Sequence, residues 1–191
     1  MSLDRCRFDV SPPLAATVGV PRRPRLAYRD VASAGNRLTL IAAIVPARAV
    51  TTHTLFCLRR PLPLPAQQVL GALLNSFVAN YLIRMRVTTH VSATLMALLP
   101  VPLLVPAEPA FDRLAHLSVA LQRGRSPVEA MPEYAELQAL AALLYGLRRD
   151  EFEHILATFP LIPSAVRDAA LDDFTRLHSS WATEARRHGG S

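Results

Sequence analysis

The stretch "AQQVLGALLNSFVANYLIRMRV", residues 66–87, decides how the rest of the chain is read. Leu70, Leu74, Phe77, Tyr81 and Met85 recur at three- and four-residue steps, the spacing that lines one face of an α-helix. Pro65 suits the first turn, where a missing N–H costs nothing. Arg84 and Arg86 stand at the carboxyl end, where cations complement the helix dipole. The spacing predicts one continuous helix, with β-type sequence before it and helical sequence after it.

Upstream, "RLAYRDV" (25–31) reads as a strand, followed by a Ser-Ala-Gly-Asn turn at 33–36. "RLTLIAAIVP" (37–46) is a buried-strand pattern closed by Pro46, and the β-branched start of "TTHTLFCLRR" (51–60) predicts a third strand. Residues 1–24 hold four prolines and no sustained period, the pattern of a flexible leader or linker. Downstream, Ser92 is placed to cap a short helix reaching Leu99, and "PVPLLVP" (100–106) reads as extended. Helices are predicted near 108–123, 133–145, 149–158 and 164–187. Gly124 and Gly146 fall where carboxyl caps belong, and Leu147 and Phe152 have the spacing of a hydrophobic staple. The expected class is α+β: a small mixed sheet with helices in 25–106, then an all-helical region over 107–191.

Composition narrows the chemistry. With 51% hydrophobic residues among 191 and a mean hydropathy of +0.22, the chain has the means to build a core. The longest apolar run, near Val91–Ala107, is cut by Pro100, Pro102 and Pro106 and is shorter than a membrane span, so no membrane association is expected. Asp4, Arg5, Arg7 and Asp9 interrupt the first ten residues, against a signal peptide, which makes cytoplasmic the expected location. Cys6 and Cys57 read as free thiols, and the histidines at 53, 90, 116, 154, 178 and 188 lack metal-ligand spacing. Neither a metal nor a cofactor is expected.

All 21 cationic side chains are arginine; the chain contains no lysine. That excludes a P-loop lysine, a Schiff-base lysine and the lysine of an acidic–acidic–lysine nuclease site. Glycine-rich phosphate loops and a GxSxG elbow are absent too. The acids at 150, 151, 153, 172 and 173 sit in amphipathic helical contexts and read as solvated faces. "SPPL" (11–14) approaches the Pro-Pro-aromatic motif of amino-methylating enzymes, but Leu14 stands where the ring that stacks on a flipped base belongs. A catalytic role is therefore not expected of this chain. Charge is uneven: residues 1–106 carry twelve arginines and three aspartates, a net +9, whereas residues 107–191 carry nine arginines and twelve acids, a net −3. Charge alone fits either a polyanion-facing first half or an arginine-rich proteome.

Three segments, "RLAYRDVASAGNRLTLIAAIVP" (25–46), "LLNSFVANYLIRMRVTTHVSATLMALLPVPLLVP" (73–106) and "ALAALLYGLRRDEFEHILATFP" (139–160), together resemble the carboxyl-terminal region of restriction–modification DNA methyltransferases. The likeness is to adenine methylases of the single-chain type II systems, and the "LNS…R…LPVP" block is similar to type I specificity subunits. The resemblance covers roughly residues 25–165. It implies a target-recognition domain that docks on double-stranded DNA while a separate methyltransferase domain or subunit supplies cofactor binding and chemistry, whose motifs this chain lacks. It nominates Arg84, Arg86, Thr88, Thr89 and His90 as a DNA-facing turn, with Arg29, Asn36, Arg37 and Arg48 around the first two strands. The competing reading is a remnant or interaction protein that docks on a methyltransferase without touching DNA.

Overall fold

The computed structural model describes residues 21–58, 60, 62–124 and 127–188, the last eight by backbone alone. Most of the expected leader, with Cys6 and the Ser-Pro-Pro-Leu stretch, lies outside the described residues. Strands β1 (Arg25–Arg29), β2 (Ala42–Val45) and β3 (Leu55–Cys57) form a sheet of order β2-β1-β3. The helices are α1 (Leu64–Leu74), α2 (Phe77–Arg84), α3 (Ala93–Ala97), α4 (Pro109–Arg123), α5 (Pro132–Leu144), α6 (Arg149–Ala157) and α7 (Ser164–His188).

The class is α+β, as the sequence pattern predicts. Both neighbours run antiparallel to β1, with Leu26 opposite Ile44 and Tyr28 opposite both Ala42 and Phe56, so the expected mixed pairing is not formed. The β2 and β3 strands are also shorter than the apolar runs predict. The 37–41 segment keeps one backbone bond to β1, from Arg29 N to Ile41 O at 3.0 Å, and Leu40 N–H donates instead to Asn80 Oδ1 at 2.8 Å, which satisfies it without a strand partner.

The predicted continuous helix at 66–87 is broken at Asn75–Ser76. Asn75 turns its amide onto the edge of β2, accepting from Ala42 N and donating to Ala42 O, both at 2.9 Å. Ser76 takes extended dihedrals and caps α2, its Oγ accepting from Ala79 N at 3.1 Å. Buried Gln138 of α5 seals the corner, accepting from Phe77 N and donating to Asn75 O. Asparagine and serine offer the backbone side-chain partners that compete with a helix. The break also splits the apolar stripe: Leu74 packs with the sheet, Phe77 enters the helical core, and Met85 is exposed.

Downstream helices match their predicted spans to within a residue or two. Ser92 Oγ caps α3 by accepting from Leu95 N. Gly146 adopts a φ of +72° after α5, a left-handed conformation that a side chain disfavours. Glu151 accepts from Arg148 N at 2.8 Å, satisfying a donor at the start of α6.

Three hydrophobic clusters organise the molecule. One joins the sheet's inner face (Leu26, Ala42) to Leu74, Ile83, Val91 and Leu99. The other two cross the expected boundary at residue 106: Phe77 and Val78 pack with Phe152, Phe159 and Phe174, while Val69 and Leu73 pack with Phe111, Leu114 and Leu137. The two expected regions thus share their cores. Among the described residues no helix is long and apolar enough to cross a membrane.

Candidate nucleic-acid interface

The nominated residues divide between the two ends of the sheet. Most gather where β1 ends, against the helical region, and there Arg29, Arg37 and Arg84 bond to protein. Arg84, in the last turn of α2, donates through Nη1 to Thr158 O (2.8 Å) and through Nη2 to Asn36 O (2.7 Å) and Arg37 O (3.2 Å). Its Nε approaches Thr39 Oγ1 at 3.4 Å, and its Cζ lies 4.2 Å from the Phe159 ring centroid. Desolvation pulls this guanidinium below the usual arginine value. With four of five N–H groups engaged, one is left over, too few for bidentate base reading. Arg84 ties the loop after β1 to the end of α6.

Its neighbours are similarly employed. Asn36 Oδ1 accepts from Ser33 N at 2.6 Å, closing the predicted turn. Arg37 is ion-paired with Glu129 and donates from Nε to Leu161 O at 3.1 Å. Arg29 donates to Leu38 O at 3.1 Å, and its Nε is buried with no partner among the described residues. His90 Nδ1 sits 3.0 Å from Asp30 Oδ2, and Val31 bridges to His90 through the backbone. Arg86, Thr88 and Thr89 are exposed and close together in sequence, and Thr89 O accepts from Ala32 N. Of the predicted turn, only Arg86 and the two threonine side chains are uncommitted.

Arg48 stands at the other end of the sheet, in company the sequence reading did not single out. Residues Pro21–Arg25 enter β1 there, Leu58 and Arg60 follow β3, and Arg48 N donates to Pro21 O at 2.7 Å. Arg22, Arg23, Arg25 and Arg60 line a groove of about 300 Å³ with Pro21, Pro24, Leu58 and Gln67. None of the described lining residues is acidic. Arg48 holds a φ of 68°, rare for a side chain of its size. The signal missed in sequence is local: "PRRPR" (21–25) and "RR" (59–60) are cations without acids, and they flank strand ends.

Ion pairs are concentrated in the helical region, although Arg123 and Arg167 there form none among the described residues and Arg37 of the first half pairs with Glu129. Arg113, Arg148, Arg149 and Arg176, all on the helical side, pair with carboxylates of their own region. Among the described residues Arg22, Arg23, Arg25, Arg48, Arg60 and Arg86 form no ion pair. These unneutralised cations give the first half a positive surface that phosphates could use. The described residues contain no group of three or more His, Cys, Asp or Glu suited to a metal ion. No family model, curated protein or solved structure matches the chain.

Proposed function

We propose that this protein is a non-catalytic double-stranded DNA-binding module, a target-recognition fragment or subunit that works beside a separate restriction–modification methyltransferase. The observation that carries the DNA part is the cluster of arginines at the sheet end (22, 23, 48 and 60, joined by Arg86) that have no carboxylate partner among the described residues, whereas Arg113, Arg148, Arg149 and Arg176 of the helical region are ion-paired. Counterion release by such cations makes duplex binding strongly salt-dependent. The methyltransferase partner rests on the sequence resemblance alone. Arg84, Asn36 and Arg37 leave the list of DNA contacts and become supports of the fold.

Titrating the intact protein with mixed-sequence duplex at several salt concentrations tests the reading. With about 4 to 6 phosphate contacts, the log–log slope is expected near roughly −4 to −5. Labelled S-adenosylmethionine should give no methyl transfer; reproducible incorporation by pure protein overturns the non-catalytic assignment. One observation favours an interaction protein instead: along the extended segment after α3, Leu98, Val101, Leu103 and Val105 are 61%, 36%, 95% and 57% exposed. Exposed apolar strips of this kind suit a protein partner. Absence of duplex binding at low salt would decide for that second reading.

A further inference from the structure

We propose that the groove between the chain entering β1 and the chain leaving β3 is a binding site for a phosphate or diphosphate group. The inference rests on the reading of this end as polyanion-facing, and it names the ligand group and its seat. Arg22, Arg23 and Arg25 come from one segment and Arg60 from another, so among the described residues four arginines from two separate stretches of chain line the groove. Gathering like charges costs energy that a multiply charged anion offsets.

The seat is built, not merely charged. Gln67 is 5% exposed and uses its whole amide: Oε1 accepts from Leu26 N at 2.6 Å, while Nε2 donates to Leu62 O at 2.8 Å and Pro24 O at 3.3 Å. One buried side chain thereby fixes both arginine-bearing segments to α1. Arg25 is held by Nη2 on Ala49 O at 2.8 Å, and its buried Nε has no partner among the described residues. The first turn of α1, to which Gln67 belongs, carries no acidic residue and no side-chain cap, so its positive dipole end is not neutralised locally. A tetrahedral phosphate, with several acceptor oxygens, can take hydrogen bonds from arginines of both segments at once, as guanidinium forks favour. A duplex backbone and a free phosphorylated small molecule share this chemistry.

The test titrates the full-length protein with inorganic pyrophosphate by calorimetry and, separately, with duplex DNA. The variants are Arg22→Gln/Arg60→Gln and, as a control of equal charge loss, Arg148→Gln/Arg176→Gln. All four side chains are exposed. Saturable pyrophosphate binding, weakened at least about tenfold by the first double variant and unchanged by the second, is expected. No saturation below about 10 mM, or equal losses in both variants, overturns the site. If the first double variant also lowers duplex affinity and reduces the salt slope by about two, the phosphate comes from the nucleic-acid backbone. If it abolishes pyrophosphate binding but leaves duplex binding intact, the site stands with a free phosphorylated ligand and the DNA face lies elsewhere. Duplex binding without any pyrophosphate binding removes the site and leaves the DNA reading in place.

Discussion

At the scale of single residues, two arginines behave oppositely although both look like surface cations in sequence. Arg84 ends a helix, yet its guanidinium is spent on three main-chain carbonyls and the Phe159 face. Arg84→Ala should lower stability by about 2–4 kcal/mol, since charged hydrogen bonds are lost together and carbonyl groups lose their donors. Lysine should rescue little of this, because one ammonium cannot reach carbonyls served by both arms of a planar fork. Denaturant titration of both variants checks the order, and a cost below that of an ordinary surface change would return Arg84 to the solvent face. Arg48 makes the converse case. Its left-handed φ is conformationally costly, so Arg48→Gly should leave stability unchanged or raise it by up to about 1 kcal/mol. Duplex affinity should nevertheless fall. A variant that keeps wild-type affinity removes Arg48 from the DNA face.

The decisive element is the corner between α1 and α2. The periodicity of residues 66–87 is genuine on both sides of Asn75, which is why the helical state was legible while its interruption was not. The corner forms because Asn75, Ser76, Asn80 and Gln138 satisfy backbone groups of β2, of the 40s segment and of each other. Asn80→Leu should cost about 1–3 kcal/mol, the penalty for leaving the buried Leu40 N–H without its acceptor. Chemical denaturation measures it; a neutral result would mean that the 37–41 segment finds another partner. The helices after Pro106 are legible in sequence because their ends are marked by local chemistry: Pro at first turns, Gly146 at a left-handed cap, Glu151 at the start of α6. Strand ends carry no such marks, since an apolar run is the same whether its backbone finds a strand or a side chain.

At the scale of the molecule, two of the three cores straddle residue 106. Truncation after Pro106 should therefore leave a fragment that aggregates, because Val69, Leu73, Phe77 and Val78 would lose their cover, each buried side chain being worth about 1.5–3 kcal/mol. A soluble fragment with cooperative melting would show two independent domains instead. Alkaline pH offers a second test. Burial pushes the Tyr145 hydroxyl, which donates to Pro100 O, up to about 12, and burial pushes Tyr134 up as well. Both are neutral in folded and unfolded chains below about pH 10, so no stability is lost there. As pH rises from about 10 towards 12 the unfolded chain ionises first, and stability should fall by up to about 1.4 kcal/mol per pH unit for each tyrosine. Tyr145→Phe should flatten that fall.

The sequence by itself determined the α+β class, the order of strands before helices, the helical spans beyond Pro106 and the basic bias of the first half. These are written in periodicity, capping residues and charge count, all of which act over a few neighbouring positions. Only the tertiary structure decided which arginines are free. Arg84 and Arg37 look as available in sequence as Arg22 and Arg60, but a guanidinium reaches far enough to find carbonyls and carboxylates that lie more than forty positions away in the chain. Whether a cation faces solvent or protein is settled by those long-range partners, and so most of the unneutralised arginines, Arg86 excepted, gather at the end of the sheet away from the predicted turn.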